Sequence, residues 1–285
     1  MLFQDFNGKN KDEVAVLLQK CCGSQKWKEE VLKNFPFSTE GRFIEVLNNT
    51  WYNECSAEDW KEAFMHHPEI GDLSSLQEKY GTSRDIAEKE QQGVNAASEE
   101  TLKALMSANK EYKEKFGFIF IVFATGKSAG EMLELLHSRL GNNAGDEIRV
   151  AMGEQQKITM KRLKDQVTDL NLAVSQVTTH ILDTSAGLPA AKVVIRFFEM
   201  DNGDAYMISQ GLTNADGRIP DLLPPGRILN AGVYKMHFLT GEYFHRSASE
   251  TFFPFAEITF KISGPSHYHI PLLISPFGFT TYRGS

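Results

Sequence analysis

The sequence predicts an all-α helical bundle followed by an all-β sandwich, and three observations carry that reading. The chain has 285 residues, more than the roughly 100–150 of one ordinary domain. Its apolar spacing is helical up to about residue 166 and has a period of two beyond about residue 175. Composition changes at the same place: eight of the ten prolines lie after residue 175, and all three cysteines lie before it. We expect a helical domain at 1–166, a linker at 167–174 and a sandwich at 175–285. Such a linker predicts two halves that fold and work apart.

Charge and composition exclude several classes. Residues 1–174 carry 22 Lys+Arg against 28 Asp+Glu, and residues 175–285 carry 8 against 9. Neither half is basic, so a nucleic-acid partner is not expected. An apolar fraction of 41% is enough for buried cores. The longest apolar run, Phe116–Ala124, is far short of the roughly 20 residues of a membrane helix. The start, Met1-Leu2-Phe3-Gln4-Asp5, lacks a basic leader region. Cys21, Cys22 and Cys55 read as reduced, buried thiols. The expected compartment is the cytoplasm. A partial match to a peroxisomal nonapeptide, Arg162-Leu163 with Asp169-Leu170, keeps the peroxisome as the alternative.

The elements follow in order. Ser56 caps a helix running to His66, and Ser98-Glu99-Glu100 starts another, with Leu102, Leu105 and Met106 as its stripe. Ser128 and Glu131 form a capping box before Met132–Leu136, and Gly141 supplies the stop. A long helix is expected from about Asp146 to Val167, burying Ile148, Met152 and Leu163. Strands are expected at Ala191–Phe198, Gly232–Leu239, Thr251–Phe253 and Ala256–Ile262. His267 and His269 share one face of a further strand. Pro271 puts that strand at a sheet edge or distorts it.

Three C-terminal segments carry chemistry: Thr179-His180-Ile181-Leu182-Asp183, Thr213-Asn214-Ala215-Asp216-Gly217-Arg218, and the last residues from His267 to Tyr282-Arg283-Gly284-Ser285. A lone histidine at a strand end is more often a satisfied surface residue, and Asp-Gly-Arg alone is an ordinary turn. All three in order resemble 5-hydroxyisourate hydrolase, the enzyme branch of the transthyretin-like family, over about residues 175–285. The resemblance implies a transthyretin-like sandwich and a catalytic set of His180, Arg218 and His269. It also implies substrate contacts from Tyr282, Arg283, Gly284 and Ser285, hydrolysis without a metal, and a homotetramer formed through this domain with active sites at a subunit interface. The residue types suit the task. Imidazole titrates where a base for water must, and guanidinium stays charged opposite an oxyanion. Zinc held by three histidines is the minor reading.

The N-terminal half carries a second set. Pro68 breaks a helix after His66-His67, which places His67 at a helix end. A dipole-favoured histidine there is the bland alternative. Ala87, Glu90 and Gln91 share a helix face that is ordinarily solvated surface. With Phe116-Gly117-Phe118-Ile119-Phe120-Ile121, Leu136-His137-Ser138-Arg139-Leu140 and Glu154–Arg162, these stretches resemble 2-oxo-4-hydroxy-4-carboxy-5-ureidoimidazoline (OHCU) decarboxylase over about residues 1–166. The resemblance implies catalysis by His67 without a cofactor. It also implies substrate contacts from Pro68, Ala87, Glu90, Gln91, Phe118, Ile119 and Arg162. We assign proton delivery to His67, ureide hydrogen bonds to Glu90 and Gln91, and anion binding to Arg162. Ala87 departs from the serine usual in the family, and Ser83 lies one turn earlier.

The two resemblances interlock, because the product of the hydrolase is the substrate of the decarboxylase. The sequence therefore predicts a bifunctional enzyme of urate catabolism acting on two small molecules in turn and releasing (S)-allantoin. A small-ligand carrier built on the sandwich, and an enzyme with one working half, are the other readings.

Overall fold

The computed structural model describes residues 1–67, 99–172 and 175–284. The first part of the chain is helical: α1 Phe3–Asn7, α2 Lys11–Cys21, α3 Gln25–Lys33, α4 Glu40–Asn49, α5 Ala57–Met65, α6 Glu99–Phe116, α7 Ala129–Leu140 and α8 Ala144–Gln166. A π-helical turn, Thr50–Glu54, continues α4. The cap expected at Ser56 and the capping box expected at Ser128 both form, the former also as a capping box, and Gly141 follows α7. The long helix begins two residues earlier than expected because the Asn143 side chain, not Asp146, caps it. Met152 and Leu163 are buried as expected, whereas Ile148 is half-buried.

α8 is covered on several sides. It buries Glu147, Glu154, Gln155, Gln156 and Lys157 along with its apolar residues. One side packs on the core built around Trp27, Phe43, Leu47 and Trp51. Ala151 joins a second core with Leu105, Tyr112, Phe118 and Leu136. A helix that buries polar residues needs partners for them. Glu147 accordingly accepts from Arg139, Asn142 and Tyr112.

The second half is a two-sheet sandwich. Its strands are β1 Val177–Asp183, β2 Leu188–Pro189, β3 Val194–Asp201, β4 Asp204–Leu212, β5 Gly232–Phe238, β6 Ala256–Ile262, β7 Tyr268–Ser275 and β8 Gly278–Thr281. The sheet orders are β2-β1-β7-β8 and β4-β3-β5-β6. Between them Ile181, Phe197, Met236, Phe238 and Leu272 form the core. β1 and β7 run parallel, and the other pairs are antiparallel.

Two expectations need correction and two gain detail. Thr251–Phe253 is not a strand; Pro276 O accepts from the Thr251 hydroxyl at 2.8 Å and from Phe252 N at 2.9 Å. β3 starts at Val194 rather than Ala191 because Lys192 takes a left-handed turn, φ 61°. The β half also contains a helix, α9 Thr240–Arg246. Finally, β7 lies inside its sheet rather than at an edge. There Pro271 acts through distortion. Tyr268 N donates to Gln176 O across the β1 side, so by alternation the amide position of Pro271 faces the β8 side. Lacking an N–H, it opens that ladder between Thr281 and the isolated bridge His269–Gly284.

The halves also meet more extensively than the linker suggested. α8 lies along β4, and Leu212 packs on the second helical core. Met207 N donates to Asp146 at 3.3 Å, Asn142 Nδ2 to Gln210 at 3.0 Å, and Gln210 Nε2 to Ser138 at 3.0 Å. Arg227 stacks 3.9 Å from the Tyr52 ring centroid. β4 is a sheet edge, and a covering helix is one remedy for an exposed edge.

Candidate active sites

The sandwich site is assembled from three segments. In the β1–β7 register Thr178 stands opposite His269, and His180 opposite Pro271. Along β1 the odd residues 177, 179 and 181 are buried, while Thr178 and His180 are half-buried. Both histidines therefore stand on the face turned away from the core. Arg218 reaches them through a tight turn. Asn214 Oδ1 accepts from Asp216 N and Arg218 N, both at 3.0 Å, and the Arg218 backbone forms an isolated antiparallel β-bridge with that of His180. Gly217 has φ 70°, and a Cβ there would lie 2.3 Å from Ile181 O. Only glycine fits this position.

Thr178 organises the histidines. Its hydroxyl lies 2.9 Å from His269 Nδ1 and 2.9 Å from His267 Nε2, and the two rings stack with centroids 6.4 Å apart. Burial and the Arg218 charge hold the His180 imidazole below its ordinary pKa. Burial, Arg218 and the two neighbouring histidines do the same to His269. Both rings are then neutral near pH 7 and can accept a proton. Gly284 N donates to His269 O at 3.0 Å, and a Cβ on Gly284 would fall 2.5 Å from His269 Cδ2. The backbone near the C-terminus is thus pressed against a candidate catalytic ring. Tyr282 and Arg283 do not join it there. They line a cavity of about 560 Å³ with Phe260, Tyr268 and Ile270, whose walls include none of His180, Arg218 and His269. Ser285 lies outside the described residues.

In the helical domain, His67 follows α5, with its N–H donating to Phe64 O at 3.1 Å. Its Nε2 lies 2.6 Å from Gln155 Oε1. Gln155 Nε2 in turn donates to Thr159 Oγ1 at 3.2 Å. That bond fixes the amide so that its oxygen faces the imidazole, and Nε2 of His67 carries the proton between them. Gln155, Thr159 and Arg162 follow at i, i+4 and i+7 on one face of α8. Arg162 Nη1 donates to Cys21 O at 3.3 Å. Burial pushes the Cys21 and Cys22 thiols up to about 12, so they stay protonated and are poor nucleophiles. His66 packs on Gly23, where a Cβ would lie 2.2 Å from its ring. Phe118 is in the aromatic core, 5.3 Å from Phe64, one turn before His67, and Ile119 packs against the same core. Pro68, Ala87, Glu90 and Gln91 lie outside the described residues.

Comparison with known proteins decides the family. The pattern of the OHCU decarboxylase family matches residues 7–164, and that of the HIUase/Transthyretin family matches residues 177–284. The "Uric acid degradation bifunctional protein TTL" of Arabidopsis thaliana is 30% identical over 93% of this chain and 96% of its own. The chain belongs to this bifunctional uric acid degradation family. A 5-hydroxyisourate hydrolase of Mus musculus is 41% identical over 39% of this chain and 96% of its own. A solved structure of (S)-allantoin synthase aligns at 27% identity over 100% of both chains, with a TM-score of 0.46.

As a member of this family, the protein is a urate-degradation enzyme with a decarboxylase domain and a hydrolase domain in one chain. Sequence reasoning missed two residues that organise its sites. Thr178 lies two before His180 on the same strand face, and that spacing was its one available signal. Gln155 sits inside a quoted motif stretch but had no periodic signal, because α8 buries polar residues on several sides.

Proposed function

We propose that His180, Arg218 and His269 hydrolyse 5-hydroxyisourate, and that His67 controls the decarboxylation that follows. The observation that carries the first part is the convergence of His180, His269 and Arg218 from three separate segments, with burial and Arg218 favouring the neutral form of both imidazoles. One imidazole takes a proton from water as the oxygen adds to a ring carbonyl. Arg218 balances the negative charge that develops on the carbonyl oxygen. The ring C–N bond then breaks. The new imidazolium returns its proton to the departing nitrogen, leaving a carboxylate and a ureido arm.

In the second step the carboxylate leaves as carbon dioxide, and the ring delocalises the electron pair. His67, held through its Nε2–H by Gln155, then delivers to one face, from its other ring nitrogen, a proton taken up from solvent, which gives (S)-allantoin. Arg162 attracts the substrate anion, Glu90 and Gln91 hold the ureido arm, and the chain's own groups suffice without a cofactor. We further propose a homotetramer formed through the sandwich, with the hydrolase sites at a subunit interface. β6 and β8 are the outer strands on one side of their sheets, and Phe277 and Phe279 are exposed nearby. Buried free thiols fit a reducing compartment such as the cytoplasm.

Freshly prepared 5-hydroxyisourate, followed by circular dichroism, tests the reading. Optically active allantoin should form at a rate proportional to enzyme. Racemic product at the uncatalysed rate would exclude it.

A further inference from the structure

A closed ring of charges and backbone groups crosses the domain boundary through Asp221, three residues along the chain from Arg218. Asp221, from the sandwich half, accepts from Lys127 Nζ at 3.1 Å, and Lys157 Nζ lies 3.9 Å away. Lys157 is 5% exposed and also pairs with Glu154. Glu154 Oε2 accepts from Phe123 N at 2.7 Å, and Lys127 Nζ donates to Phe123 O at 2.9 Å. Phe123 thus gives both its backbone groups to the ring, and Asp221 is the member contributed by the sandwich half. Against the upward push of burial, Lys157 and Lys127 hold the Asp221 carboxyl below the usual carboxylate range.

Asp221 stands three residues after Arg218. The segment between them is stiff. Ile219 is 3% exposed in the sandwich core, and Pro220 fixes its own φ. A displacement at Asp221 is therefore passed to Arg218 rather than absorbed. We propose that Asp221 is a positioning residue for the hydrolase reaction. Through Lys127 and Lys157 the helical domain holds the segment that carries Arg218. This rests on Arg218 acting in hydrolysis, as proposed above. Single-domain hydrolase relatives match only about two fifths of this chain, so the Lys127 and Lys157 contacts belong to the fused form.

The test uses the full chain with Asp221→Asn, Lys127→Met, Lys127→Arg and, as a reference, Arg218→Ala. Hydrolysis and decarboxylation are assayed separately, the latter with OHCU supplied directly. Asp221→Asn and Lys127→Met should each lower the hydrolase kcat about tenfold with a smaller change in KM, because Arg218 acts on charge that develops in the transition state and a misplaced group of that kind costs rate. Decarboxylation should stay within twofold, and Lys127→Arg should restore the hydrolase kcat. Two results overturn the proposal: a hydrolase kcat within twofold of wild type in Asp221→Asn, or both activities falling together as the fold weakens. If Arg218→Ala itself leaves hydrolysis unchanged, the reading of the site fails instead.

Discussion

The His269 side chain is held from two sides in the sandwich site. Thr178 fixes one edge of its ring, and Gly284 lies against another. Gly284→Ala should therefore displace the imidazole, with little effect on the core. Hydrolysis should fall at least about tenfold, with the melting temperature nearly unchanged. Wild-type turnover would show that Gly284 only occupies space. The depressed pKa values of His180 and His269 give a second expectation. A lowered pKa means that the ring gains its proton only at more acid pH. The acid limb of hydrolase kcat/KM should then lie below the ordinary histidine value of about 6.5. A limb above that value would contradict neutral imidazoles. His180, Arg218 and His269 were drawn from the resemblance rather than from any one fragment, and the structure brings their segments together through the β1–β7 register and the His180–Arg218 bridge. Thr178 and Asp221 were not legible in the sequence, because their roles arise only from tertiary approach.

At the scale of elements, α8 contacts His67 on one face and Asp221 on another. The Gln155, Thr159 and Arg162 face turns toward His67 and Cys21. Lys157, roughly opposite on the helical wheel, turns toward Asp221. Gln155→Leu should remove the hold on His67. Decarboxylation of supplied OHCU should slow at least about tenfold and lose optical purity, while hydrolysis continues. Unchanged optical purity would release Gln155 from this role. The helix was legible in the sequence from its length and its caps, but its surroundings were not. A helix burying Glu, Gln and Lys gives a weak apolar stripe, and that pattern is easily taken for solvent exposure. β4 escaped notice for a related reason. Its buried middle contains Ser209 and Gln210, whose partners Leu222 O and Ser138 come from elsewhere in the chain.

At the scale of the whole molecule, the sequence placed the change of fold class near the linker but implied independent halves. The structure instead joins them along β4 and through the Asp221 ring. The intact chain should therefore unfold in one transition, because losing one half exposes the covered edge and unpaired charges of the other. Two well-separated calorimetric transitions would contradict this. In the proposed reaction sequence the two sites act one after the other, with His67 setting the handedness of the product. The most direct measurement follows absorbance and circular dichroism together after 5-hydroxyisourate is added to the His67→Asn and His269→Asn variants of the full chain. With His269→Asn, 5-hydroxyisourate should persist. With His67→Asn, it should vanish at the normal rate, OHCU should accumulate, and allantoin should appear slowly and without optical activity. Optically pure allantoin from His67→Asn at the wild-type rate would contradict the account.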